Sequence, residues 1–192
     1  MTFLIFGLIL FLAAHSVRIF ADDWRTRQIA RMGEKAWMGV IAVVSLIGFV
    51  LIIWGYDLAR AAPVFVWDPP IWTRHLAALL TLPVFILIIA AYVPGTHIKS
   101  KFGHPMILGV KAWALAHLIA NGMLADVVLF GAFLVWAIVD FITSRKRDRA
   151  AGTQYPVGVI SRDVMVVGIG LVAWVGFAMF LHARLIGVAP FG

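Results

Sequence analysis

Residues 103–122 read GHPMILGVKAWALAHLIANG. The run has the length a membrane crossing needs, about 20 mostly apolar residues, yet it encloses Lys111 and His117 and is approached through His104. An ionisable group at the centre of a spanning helix costs about 2.5–3.5 kcal/mol on insertion scales. A chain therefore keeps one there for a function, or lets it reach water. Lys111 lies about two turns from one end, within snorkelling distance, whereas the imidazole of His117 has no such reach. His104-Pro105 marks the start, with proline in the first turn, where its missing N–H is harmless.

Whether this run lies in lipid is decided by its surroundings. Of the 192 residues, 63% are apolar and 13% charged, and the mean hydropathy is +1.00, outside the range of soluble globular domains. The chain is read as one integral membrane domain, residues 1–192. The formal charge of +7 falls in short stretches between apolar runs, where basic residues act as topology signals rather than as a nucleic-acid footprint. The absence of cysteine excludes disulfides, thiolate metal sites, iron–sulfur clusters and covalent haem attachment. Any metal would be held by His, carboxylate, Met or Tyr. The first apolar run lacks the basic start and clear cleavage site of a signal peptide and is read as a helix.

Pro, Gly and charged clusters divide the chain into six apolar segments, 2–20, 36–55, 74–93, 105–121, 123–142 and 164–183, which predict an all-α bundle of about six transmembrane helices. Asn121-Gly122 joins the fourth and fifth as an antiparallel hairpin. Basic residues concentrate in the first, third and fifth connections, so both termini are expected on the non-cytoplasmic side. The second connection, YDLARAAPVFVWDPPIW (56–72), has the aromatic and proline content of an ordered interfacial segment. The fifth, TSRKRDRAAGTQYPVG (143–158), reads as a mobile loop whose basic cluster suits anionic head groups.

Within the spans, His15, Lys111, His117 and Asp126 are the deep ionisable residues. Trp113, His117 and Asn121 follow one another at intervals of four and share a helix face. Ala112, Ala114 and Ala116 leave room for a close neighbour. His15 sits in LAAHSVR, two turns after Gly7. For each histidine alone, a ring bonded to a backbone carbonyl is the alternative. Together, two deep histidines on different helices, with no Cys or carboxylate cluster, suit axial ligation of b-type haem better than zinc, which takes three or four protein ligands. Their offset along the membrane normal, roughly 10–15 Å at 1.5 Å per residue, requires tilted helices or an inclined haem plane. His75, His97 and His182 are expected to be merely hydrated, Asp126 and Asp140 to sit near helix ends, and Pro83 to kink its helix. No G-x-S-x-G, Walker loop, H-E-x-x-H or paired-carboxylate motif occurs, so hydrolase and nucleotide-driven readings have no support.

AAHSVR (13–18), GEKAWMGVIAVVSL (33–46), LPVFILIIAAYVPG (82–95) and the 103–122 block together resemble the NnrU family of bacterial membrane proteins, whose plant relative is zeta-carotene isomerase. The resemblance is strongest over 1–130. It implies a multi-pass protein of the bacterial inner membrane that binds haem b through His15 and His117, with Trp113, Asn121 and His104 as further cofactor-site residues. It implies a redox-linked role, in nitrite and nitric oxide metabolism (denitrification) or in isomerisation of a lipid-soluble substrate. Beyond the lipid bilayer, a respiratory nitrogen-oxide enzyme or electron donor is the implied partner, and no nucleic acid. Two positions depart from the family pattern. Gly103 replaces the arginine before His104-Pro105, with Lys101 close enough to substitute. Ala114 stands where the isomerase has the cysteine proposed for ligand exchange, so that mechanism is not carried over. Alternatives are a non-enzymatic assembly factor for a respiratory oxidoreductase and, through a more distant similarity, a lipid-substrate enzyme like the isoprenylcysteine carboxyl methyltransferases. The latter carry a Glu pair where this chain has SRKRDRAAG (144–152).

Overall fold

A computed structural model describes residues 1–191. Its helices are α1 (Thr2–Phe20), α2 (Asp22–Met32), α3 (Glu34–Ala61), α4 (Trp72–Tyr92), α5 (His97–Phe102), α6 (Pro105–Ala120), α7 (Leu124–Ala150) and α8 (Ile160–Gly176). A π-helical turn, Phe177–Leu181, links α8 to α9 (His182–Ile186). No strand longer than an isolated bridge occurs among the described residues.

Five rods are long and apolar enough to cross a membrane: α1, α3, α4, α7 and the continuous run from Ile160 to Ile186. The sixth expected span, α6, has 16 residues, about 24 Å of rise against a hydrocarbon core of about 30 Å. Side chains on the outside match a lipid solvent. Val43, Leu46, Ile47 and Val50 are all at least half exposed along α3, a face that water would not tolerate over this area.

Chain order does not give spatial order. Packing neighbours run α3, α1, α7, α6, α4, α8. Lipid offers apolar side chains no driving force to leave it, so helices associate where small residues let backbones approach. At the α1–α3 contact, a Cβ on Gly48 would lie 2.7 Å from the Phe11 nitrogen, one on Gly7 2.6 Å from the Ile52 nitrogen, and one on Gly55 would strike the Leu4 backbone. Gly170 brings α8 against the backbone of Ile86 on α4 in the same way. The buried core, Leu4, Leu8, Ile52, Ala59, Ala114, Ala125, Leu129 and Phe130, joins α1, α3, α6 and α7.

One connection differs from expectation and another matches it. The basic stretch after residue 142 is not a mobile loop: α7 continues through Ala150, because Arg, Lys and Ala favour helix and cations in the last turn complement its dipole. The following segment is tied down, with Tyr155 Oη donating to Asp148 at 2.8 Å and Val159 N–H to Gly95 O at 3.0 Å. The connection between α3 and α4 is ordered, as expected. Its residues Val64 and Val66 exchange backbone bonds with Leu124 and Gly122, and Trp67 Nε1 donates to Asn121 O at 3.1 Å.

Candidate functional site

The residues singled out in the sequence fall into two clusters at opposite ends of the bundle. At the end bearing the basic turn of α7, His15 of α1 stacks on Phe11 at 4.3 Å and meets the edge of Trp136 at 6.1 Å. Its Nδ1 lies 2.7 Å from Phe11 O. A carbonyl only accepts, so Nδ1 carries a proton. His15 borders two cavities of about 370 Å³ each. One is mostly apolar, lined by Trp37, Met38, Ile41 and Ala42 together with Arg25, Glu34 and Ser45. The other is polar, with Arg18, His104, Asp140, Arg147 and Asp148. Ser45 Oγ and Trp136 Nε1, both buried, have no hydrogen-bond partner.

In the polar cavity, His104 begins α6 and its Nε2 lies 2.9 Å from Asp148 Oδ2. Tyr155 Oη shares that carboxylate, and Arg145 approaches it at 4.0 Å. Partial burial, and then the bond to Asp148, push the Tyr155 hydroxyl up to about 12, since both favour the neutral phenol over a second anion. His104 is therefore one of the side chains gathered on the Asp148 carboxylate.

The second cluster surrounds His117. Its Nδ1 lies 2.8 Å from Trp113 O, which places a proton on Nδ1 and, in the neutral ring, leaves Nε2 with a free lone pair. The ring packs on Phe130 at 4.6 Å and Trp113 at 5.2 Å. Asn121 shares the predicted face, but its amide turns back to donate to His117 O at 2.8 Å and so caps the end of α6. Asp126, expected near a helix end, stands in the first turn of α7 and is 0% exposed. It accepts from Tyr56 Oη at 2.5 Å and from the Met123 N–H at 3.0 Å. The carboxylate thus closes the first turn of α7 and pins it to α3.

His182, also expected to be merely hydrated, lies 6.5 Å from His117 between ring centroids, with planes 24° apart. His97 is likewise engaged, its backbone N–H and Nδ1 both meeting the Asp163 carboxylate. His75 is exposed. Lys111 rests its ammonium 4.8 Å from the Phe141 ring centroid, an aromatic shelter consistent with the structural reading of that residue. One signal for His182 is present in the sequence: His117 and His182 both fall near the C-terminal ends of predicted segments, 105–121 and 164–183, that cross in the same direction. Tyr56 gave none, because its partner is 70 residues away.

The expected haem ligands His15 and His117 are not brought together. The backbones of α1 and α6 nowhere approach within 8 Å, and α7 stands between them. His15 lies beside Trp136 and His117 beside Phe130, six residues apart on α7, or about 9 Å of rise. Phe133 fills the gap, 5.7 Å from Phe11 and 5.5 Å from Trp113. Trans ligands of one iron need their Nε2 atoms about 4 Å apart, twice a metal–imidazole bond. Taken singly, each histidine fits as a donor, since a ligating imidazole characteristically gives its other N–H to a carbonyl. As the two ligands of a single haem they do not fit this arrangement. Among the described residues, no group of three or more His, Asp and Glu side chains is placed to hold a metal ion.

The family model described as NnrU protein matches residues 3–190, nearly the whole chain. No curated protein and no solved structure gives a significant match.

Proposed function

We propose, from the premise that the chain belongs to the NnrU family, that this membrane protein binds haem b through His117 and serves a redox-linked role, as the family resemblance implies for nitrogen-oxide metabolism. The observation that supports this reading is the fixed tautomer of His117, with Nδ1–H given to Trp113 O at 2.8 Å and Nε2 left as a lone-pair donor beside the aromatic rings of Trp113 and Phe130. Haem iron would supply one-electron chemistry, and the protein's part is to present the imidazole in low-dielectric surroundings. In the same reading, the basic end of the bundle faces the cytoplasm of a bacterial inner membrane, because Arg145, Lys146, Arg147 and Arg149 cluster there.

His15 has a separate place in the proposal. The apolar cavity beside it, with the unpartnered Ser45 hydroxyl, is where a lipid-soluble substrate or redox partner with one polar group would lie. Purified protein is expected to give a reduced-minus-oxidised spectrum of b type that is lost in His117→Ala. A colourless wild-type protein, or stoichiometric haem surviving His117→Ala, overturns the haem reading.

A further inference from the structure

We infer that the mostly apolar cavity beside His15 is a binding site for a lipid-soluble quinone, held by the Ser45 hydroxyl. The ligand's redox character rests on the proposed function; the shape and chemistry of the cavity stand apart from it.

The cavity is a groove along one helix. Glu34, Trp37, Met38, Ile41, Ala42 and Ser45 line it, and they recur at intervals of three and four, as one stripe of α3. From Glu34 to Ser45 the stripe rises about 16 Å. Its charged lining residues, Arg25 and Glu34, belong to α2 and to the first turn of α3. Ser45 lies three turns further into the span. Met38 and Ala42 line the groove and are nonetheless exposed, and Leu46, 62% exposed, continues their face. The groove therefore opens sideways into lipid, and an apolar ligand reaches it without crossing water.

Ser45 Oγ is buried and has no hydrogen-bond partner. A serine inside a helix commonly bonds to the carbonyl one turn back, and this one does not. An unpaired hydroxyl in apolar surroundings is costly, and a ligand oxygen beside it removes that cost. The walls formed by Trp37, Met38, Ile41 and Ala42 exclude a charged head group at this depth, so the oxygen must be uncharged and set within an apolar frame. A hydroxyl both donates and accepts. Ser45 can thus donate to the carbonyl of a quinone and accept from the O–H of the corresponding quinol, holding both oxidation states without changing itself. His15 enters as part of the wall, with no bond required of it.

Size and surface agree with a flat ring. The cavity is about 370 Å³, whereas an apolar cavity of about 150 Å³ already holds one benzene molecule. A quinone ring fits with the first carbons of its tail, and the rest of the tail leaves past Met38 and Ala42. Trp37 is 7% exposed and is held in place by Trp24, the two rings meeting edge-on at 5.6 Å. It gives the groove a rigid aromatic wall against which a ring packs.

The test titrates the full-length protein in detergent with a benzoquinone carrying a ten-carbon tail, and follows tryptophan fluorescence, which a bound quinone quenches. Wild-type protein is expected to show saturable quenching that is largely lost in Trp37→Phe. Ser45→Ala is expected to weaken binding about twofold to tenfold, the range of one net hydrogen bond, with an unchanged melting midpoint. Ala42→Phe, which fills the opening, is expected to abolish binding, and a fatty acid of the same tail length is expected not to displace the quinone. Quenching that does not saturate, that survives in full in Trp37→Phe, or that has equal affinity in Ser45→Ala overturns the assignment. Displacement by the fatty acid at equal concentration also overturns it, since the groove then takes any acyl chain. Ser45→Ala decides the matter if Ala42→Phe fails to fold. The readout needs no haem, so a colourless protein that binds quinone separates failure of the haem reading from failure of this one.

Discussion

The contact between α1 and α3 depends on bare backbone at Gly48, and Gly48→Ala measures how much. A Cβ there would sit 2.7 Å from the Phe11 nitrogen and 3.0 Å from Gly7 O. Both obstacles are backbone atoms of a helix, so neither can swing aside. Ordinary contact begins about 0.7 Å further out, and a gap of 0.5–1 Å forfeits a quarter to a half of each dispersion contact along the seam. Overpacking of this kind costs about 1–3 kcal/mol. Replacing glycine by alanine inside a helix also gains up to about 1 kcal/mol, which masks part of that cost. Gly131→Ala supplies the correction: it lies in α7, and a Cβ there meets nothing within 4 Å. The difference between the two variants isolates the clash. At about 2–4 °C per kcal/mol for a chain of this size, Gly48→Ala should melt roughly 2–12 °C below Gly131→Ala, followed by circular dichroism in detergent. Equal midpoints, or a higher one for Gly48→Ala, would refute the claim that backbone approach holds these helices together.

Tyr56→Phe removes the one side-chain donor to the fully buried Asp126. A typical intramolecular hydrogen bond contributes about 0.5–1.5 kcal/mol in water-soluble proteins, and couplings between membrane helices average about 0.6 kcal/mol. A loss of about 1 kcal/mol relative to Tyr92→Phe is expected in the same melting assay, and no loss would show the pair to be passive. Tyr155 offers a test against pH. Its ionisation is raised from the ordinary value near 10 to about 12, so the folded state holds this proton more tightly than the unfolded state does. The stability it contributes is present below about pH 10 and fades as pH rises through 12. The stability gap between wild type and Tyr155→Phe should therefore be flat up to about pH 10 and close by about pH 12; a gap that widens over that interval contradicts the sign. The haem experiment above completes the set.

Much of this protein is legible because lipid is a demanding solvent. Apolar runs of spanning length, the Asn121-Gly122 hairpin and the His104-Pro105 start each follow from local composition, and the helices form where the runs lie. The basic stretch 143–150 was misread because hydrophilicity was taken for loop, although Arg, Lys and Ala are good helix formers. The spatial pairing of the histidines is not legible for a different reason. Burial inferred from sequence ranks His15 and His117 as the two deep imidazoles, but depth along a helix says nothing about which helices are neighbours.

The sequence by itself determined that the chain is an α-helical membrane protein of one family, and which imidazoles lie within its spans. Only the tertiary structure decided which of them face each other. Glycine contacts between backbones place α1 beside α3 and leave α7 between α1 and α6. His182, which follows a π-helical turn, lies 6.5 Å from His117 between ring centroids, while His15 borders cavities at the other end. Helix formation is a local matter of hydrogen bonds satisfied within each segment. Neighbour order and the final rotation of a ring depend on close packing between segments far apart in the chain, which local composition does not encode.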